Sequence, residues 1–312
     1  MKNKIFLLGA LALLSAIGCK SQYDLLLNSP DVDMKYEAAF DFFNNKKYKK
    51  AAGLFESLAI QTQGTEKDDT VRYYWALSNY KLQDYVTAEA NFTSFLDMYS
   101  RSPFTQDSRF LKLDCMYRST YRWELDQNPT RSAIYAITEY TQEYPDSPNI
   151  PICNVMVDEL KDRLDRKEFE NARLYYKMED YIAAKTSFKN ILKDNADNRY
   201  REEVLYYLAK SSYKYAQNSV QDKQKDRYMD FVDQYYNFIG EVPESKFRAE
   251  LDQLYRRYQR STGQVVATSS ELRADKKADK SADRAIRKGE RQINRQKEAT
   301  EKNRKKQLQE TK

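Results

Sequence analysis

Small and aromatic residues return along the chain in one fixed arrangement: Ala39, Tyr48, Ala51 and Phe55; Ala76, Tyr85, Ala88 and Phe92; Ala172, Tyr181, Ala184 and Phe188. In each set an aromatic follows a small residue after nine positions, a second small residue after three more, and another aromatic after four. Steps of three and four keep side chains on one face of a helix, and a small residue late in a first helix lets a second approach closely. The pattern therefore predicts helical hairpins. The clearest runs from Glu159 to Leu192, with its turn at Met178 to Asp180.

Two further hairpins are degenerate. Phe104 to Leu125 predicts a helix that Asp126-Gln127-Asn128-Pro129-Thr130 breaks, with Pro129 placed to open the next, and Ala133, Ile137 and Tyr140 carry that helix to a stop at Tyr144-Pro145. Glu202 to Ala216 pairs with Tyr228 to Ile239 across a polar insertion, Gln217 to Arg227, and a last helix, Lys246 to Arg260, caps the series. The turn tyrosines Tyr48 and Tyr85 lie 37 residues apart, near the 34-residue period of tetratricopeptide (TPR) repeats, whose packing positions these marks resemble. The expected fold is all-α, a right-handed solenoid of about five TPR-like helical hairpins with a charged C-terminal tail. The boundaries are a signal peptide at 1–18, a tether at 19–33, the solenoid at 34–260 and the tail at 261–312.

Only seven Gly and seven Pro in 312 residues agree with long helices, and 26 Tyr and 14 Phe supply aromatic knobs. The chain has no His. That removes the usual general base, the Ser/His and Cys/His nucleophile pairs and the commonest metal ligand. No Gly-rich phosphate loop or metal-spaced acidic cluster takes their place, so neither catalysis nor a cofactor is expected.

Lys2 and Lys4 precede an apolar run from Ile5 to Ile17 that is too short to span a membrane and reads as a secretory signal. It ends in Ala16-Ile17-Gly18-Cys19, which resembles the bacterial lipobox, so Cys19 is the candidate lipidation site and the membrane a partner through its acyl chains. Lys20 after the cysteine is compatible with outer-membrane sorting, and the absence of an acidic cluster there points to the periplasmic face. An oxidising compartment makes a Cys115–Cys153 disulfide conceivable. Their apolar helical surroundings favour two buried free thiols instead.

The positive charge belongs to the tail: from Thr262 onward there are 15 basic and 8 acidic residues, against 36 and 39 from Cys19 to Ser261. For an exported chain such a low-complexity tail is either disordered or a solvated, partly helical extension without a fixed target, or meets anionic lipid heads or an acidic periplasmic surface, rather than nucleic acid. First helices line the concave side of a solenoid, which puts Tyr36, Phe40, Phe43, Tyr73, Leu77 and Tyr80 on groove positions. Exposed, they would bind an extended peptide through aromatic contacts; buried, they are inter-repeat packing.

Cys19, the hairpins, Asp126-Gln127-Asn128-Pro129, Tyr144-Pro145-Asp146-Ser147-Pro148 and above all Leu160-Lys161-Asp162-Arg163-Leu164 with Glu168, Ala172, Tyr175 and Tyr176 resemble the BamD family of outer-membrane β-barrel assembly lipoproteins. A generic TPR carries the alanines and tyrosines but not the preceding LKDRL and Glu168. The resemblance covers roughly Cys19 to Arg260. It implies a non-catalytic scaffold that docks on POTRA domains of a BamA-like barrel protein and receives unfolded outer-membrane proteins by their C-terminal aromatic signal. Arg163, Glu168, Lys185 and Lys189 are the docking candidates; solvated helix faces explain the two lysines equally well. The alternatives are a TPR lipoprotein coordinating another envelope process such as cell-wall synthesis and, less well supported, a cell-wall hydrolase acting through a Glu.

Overall fold

The computed structural model describes residues 22–262 and six tail positions, Lys277, Lys280, Arg284, Lys288, Arg291 and Arg295. The expected signal peptide, Cys19 and most of the tail lie outside the described residues, which are helical with no strand among them. Two compact units divide the chain at Leu164/Asp165.

The first unit holds α1 (Gln22–Leu27), α2 (Val32–Asn44), α3 (Tyr48–Gln61), α4 (Asp68–Lys81), α5 (Tyr85–Met98), α6 (Thr105–Arg118), α7 (Asn128–Glu143) and the first half of α8 (Ile150–Lys177). The second holds the rest of α8, then α9 (Tyr181–Asp194), α10 (Arg201–Gln217), α11 (Gln221–Glu241) and α12 (Arg248–Ser261). The template alanines and phenylalanines are buried in each hairpin, where they let paired helices close on one another.

Three of the hairpin turns share one construction. Lys46, Gln83 and Glu179 each adopt a left-handed backbone, at φ 58°, 63° and 62°. In each case the amide of the next residue donates to the carbonyl five positions back, as Asp180 does to Tyr175 at 3.0 Å, and the left-handed residue donates to the carbonyl three back. That is a Schellman closure made without glycine. Asp84 and Asp180 then cap α5 and α9, their carboxylates accepting from the amides of Thr87 at 3.2 Å and Ala183 at 3.0 Å. At the same place before α3 stands Lys47, which makes no such bond.

Three elements differ from expectation. The segment expected as a tether contains α1, because Tyr23, Leu26 and Leu27 carry enough apolar surface to pack on the first hairpin. The expected helix from Phe104 stops at Arg118, and the stretch that follows is held as a connection by Gln127, whose Nε2 donates to the carbonyls of Arg122 (2.8 Å) and Leu125 (2.9 Å). The polar insertion is mostly helix: α11 begins at Gln221, since Gln, Asp, Lys and Arg solvate the outer face of a first turn without breaking it. Gln224 Nε2 reaches back to the Ser219 carbonyl at 2.9 Å to close the short link.

Cys115 and Cys153 are buried free thiols in separate clusters of the first unit. Burial, with Asp114 and Glu89 nearby, pushes the Cys115 thiol up to about 12.

Candidate partner-binding surfaces

The six groove candidates occupy three positions of two hairpins: three before, one after and four after the template alanine. The position four after holds Phe43, Tyr80, Tyr176 and Tyr213, and each packs edge-on against an aromatic of the next helix. The centroid separations are 5.5 Å to Tyr48, 5.8 Å to Tyr85, 5.6 Å to Tyr181 and 5.7 Å to Tyr228. This is turn packing common to four hairpins.

The position three before is also structural. Tyr73, Phe169 and Tyr206 lie parallel to Phe104, Tyr200 and Phe247, at 4.4, 5.3 and 4.2 Å, and each of those partners is the residue just before the following helix. Tyr73 is only 6% exposed, and its hydroxyl donates to Asp107, 34 residues on. Tyr80 likewise donates to Asp114 at 2.5 Å, again across 34 residues, one repeat period. Burial and then the bonded carboxylates push both phenols well above their ordinary range. In the first hairpin Lys67 replaces the stacked aromatic. Its ammonium sits 4.8 Å from the Tyr36 ring centre and 2.5 Å from Asp33 Oδ1.

What varies is the position one after the alanine, and it divides by unit: Phe40 and Leu77 in the first, Arg173 and Lys210 in the second. Phe40 is half-buried, its ring 4.8 Å from Tyr36 and 4.7 Å from Tyr74. Leu77 is half-buried beside Tyr74 and Tyr80. Arg173 and Lys210 instead place their cations 5.7 and 6.0 Å from the Tyr207 ring. The first unit thus offers partly open apolar edges suited to an aromatic or aliphatic side chain.

The docking candidates are engaged within the chain. Arg163 donates to Thr120 Oγ1 at 2.5 Å and to the Tyr121 carbonyl at 3.0 Å, holding the connection between α6 and α7. Glu168 is half-buried on α8. Lys185 and Lys189 both reach Asp230 of α11, each at 3.1 Å. The stretch Leu160-Lys161-Asp162-Arg163-Leu164 lies inside a 28-residue helix, longer than its neighbours.

Two features were not anticipated. Leu174, Tyr175, Met178 and Ile182 form an exposed apolar tip at the turn between α8 and α9, readable in hindsight as apolar residues on the outward side of the template. Lys35 is buried on α2, donating to Ser57 Oγ at 2.9 Å and Gln61 Oε1 at 3.0 Å; burial lowers its pKa, and the carbonyl end of α3 favours its charge. Among the described residues no acidic or cysteine group could hold a metal ion, and no helix is long and apolar enough to cross a membrane.

Hairpins that repeat their packing from one to the next define an all-helical repeat protein of the TPR-like kind. The profile of the YfiO family, described as outer membrane lipoprotein, matches residues 30–228, and the chain belongs to that family. It is similar to the outer membrane protein assembly factor BamD of Caulobacter vibrioides, 22% identical over 200 residues, which is 63% of this chain and 66% of that protein. It is similar also to BamD of Rickettsia prowazekii, 24% identical over 256 residues, 81% of this chain and 98% of that one. The chain thus spans just under two thirds of the first relative and nearly all of the second. A thermophilic TPR protein of Thermus thermophilus superposes with a TM-score of 0.29 and 14% identity over 72% of this chain and 99% of that one, too loosely to bear on the fold.

Proposed function

We propose that this chain is an outer-membrane assembly factor, a non-catalytic scaffold anchored through an acylated Cys19 on the periplasmic face. Its second unit docks on POTRA domains of a BamA-like barrel protein, and its first unit receives unfolded outer-membrane proteins. Membership of the lipoprotein family and likeness to two assembly factors support the general role. The observation that carries the division of labour is the variable position after the template alanine, apolar at Phe40 and Leu77 and cationic at Arg173 and Lys210.

Binding and positioning are the whole mechanism. An aromatic C-terminal residue of a substrate would pack against Phe40, Tyr36 and Leu77, while Phe43, Tyr73 and Tyr80 hold the helices that present them. Docking at Lys185 and Lys189 would exchange the Asp230 carboxylate for one from the partner, so electrostatic complementarity there would set specificity more than affinity. Membrane tethering raises the effective concentration of both partners, and modest affinities suffice.

Affinity purification of the chain from detergent-solubilised membranes tests the scaffold role: a POTRA-containing barrel protein should co-purify in near-equal amount, and its absence would overturn the reading. A photo-crosslinking residue at position 40 or 77 should capture a peptide ending in an aromatic residue, whereas one at buried position 73 should not. Equal capture at all three sites would remove the groove.

A further inference from the structure

The first hairpin departs, at its turn, from the second and the fourth. Where the second hairpin has Gln83, Asp84, Val86 and Thr87, and the fourth Glu179, Asp180, Ile182 and Ala183, the first has Lys46, Lys47, Lys49 and Lys50. All four are exposed. Lys47 forfeits the cap that Asp84 and Asp180 provide, and four cations crowd the end of α3 where the helix dipole is positive. A local sacrifice of stability of this kind marks a position held for another purpose.

Its neighbour in the fold is the start of the described chain. Tyr23 of α1 lies against the same helix: its hydroxyl donates to the Lys50 carbonyl at 3.2 Å, its ring meets Phe42 at 5.9 Å, and the Lys50 ammonium sits 5.5 Å from its centre. Gln22 is three residues from Cys19, a span of at most about 10 Å in extended chain. An acyl anchor at Cys19 therefore enters the bilayer beside the four lysines. Asp24, Asp33, Glu37, Asp41 and Glu56 are the acidic residues of α1 to α3, spread along the three helices with Asp33 paired to Lys67, whereas the four lysines fall within positions 46–50.

The geometry points to Lys46, Lys47, Lys49 and Lys50 as a docking surface for the anionic phospholipid headgroups of the leaflet that carries the anchor. Docked α1 and the lysines together hold the first hairpin against the membrane, so the anchor orients the protein as well as retaining it. This rests on the lipoprotein reading.

The test is lysine acetylation, read residue by residue by mass spectrometry, on the full acylated chain reconstituted in vesicles of phosphatidylcholine alone or with phosphatidylglycerol. The four lysines should be modified several-fold more slowly on the anionic vesicles, and 0.5 M salt should abolish the difference. Replacing Lys46 and Lys49 by Gln removes no ring contact of Lys47 or Lys50, and it should cost the remaining pair at least fivefold of their protection, the factor expected for each lysine near such a surface. Vesicle flotation separates the possible failures. A chain that floats with equal reactivity on both vesicles overturns the patch alone; a chain that floats with neither overturns the anchor and the patch with it. Tail lysines fall in separate peptides and do not enter the comparison.

Discussion

Tyr23 occupies the space that a side chain at Gly53 would need: a Cβ built on Gly53 would lie inside contact distance of the Tyr23 hydroxyl. Gly53 sits inside α3, where Ala is worth about 1 kcal/mol more than Gly in helix propensity. The glycine is therefore explained by the docking of α1. Gly53→Ala should leave global stability within about 1 kcal/mol, the propensity gain offsetting lost packing. It should also speed hydrogen exchange of the α1 amides at least tenfold. Unchanged exchange there would show that the ring moves aside while the helix stays docked.

The capping position of α3 gives a second prediction. Lys47→Asp places a carboxylate where Asp84 and Asp180 cap their helices, and it should stabilise the chain by about 1 kcal/mol in urea unfolding. Asp84→Ala and Asp180→Ala should each cost roughly 0.5–2 kcal/mol. If Lys47→Asp were destabilising, the contacts of Lys47 with Phe42, 5.8 Å from its ring centre, would outweigh the cap.

The left-handed residues at the same turns supply a third. A non-glycine residue in that region costs about 1–2 kcal/mol, part of which glycine returns as backbone entropy of the unfolded chain. Gln83→Gly and Glu179→Gly should thus each stabilise by several tenths to about 1 kcal/mol. Thermal unfolding of the two variants checks it; a loss of stability would mean that side-chain contacts of Gln83 or Glu179 hold the turn.

These turns also show how far the sequence could be read. Ala172, Tyr181, Ala184 and Phe188 were legible because packing at helical spacing fixes residue type tightly. The left-handed residues were not, because Lys, Gln and Glu carry no signature of that backbone. Phe43, Tyr73 and Tyr80 look like groove aromatics in any single hairpin. Only their counterparts Tyr176, Phe169 and Tyr206 reveal them as structural, since a stacking partner such as Phe104 lies about thirty residues away. Lys185 and Lys189 read as free surface charges because Asp230, their common partner, lies across a helix pair that sequence alone does not align. Helix α1 was missed because six residues are too few to show a period.

Two aspartates should carry the acid sensitivity of the fold. Burial pushes the Asp68 carboxyl upward, but bonds from Tyr99 at 2.5 Å, the Gly64 amide at 2.9 Å and Arg72 at 2.8 Å outweigh it and hold the pKa below the ordinary 3.8. At Asp230 burial also pushes upward, and bonds from Lys189, Ser212 and Lys185 more than offset it. A carboxyl with a folded pKa below its unfolded one adds stability that is fully present above the unfolded value. That stability is lost as pH falls through 3.8 toward the depressed value. Unfolding free energy should thus fall on acidification below about pH 5, and Asp68→Asn and Asp230→Asn should each flatten that dependence while lowering stability at pH 7. An unchanged acid slope in both variants would place the sensitivity elsewhere.

Arg163 decides whether the stretch before the fourth hairpin is a docking surface or a brace. Its guanidinium bonds Thr120 Oγ1 and the Tyr121 carbonyl, so it ties α8 to the connection between α6 and α7. Bonds of a charged donor are worth about 1.5–3 kcal/mol, less at a half-exposed position. Arg163→Glu should therefore open the 119–127 connection to limited proteolysis and lower stability by about 1–2 kcal/mol. A reversal at Arg163 that also weakens recovery of a barrel partner needs a control that keeps the brace. Arg163→Lys retains the charge but not the planar fork, so it should restore partner recovery while leaving part of the proteolytic sensitivity. If the lysine variant recovered protease resistance in full yet still failed to bind the partner, the guanidinium itself would belong to the interface.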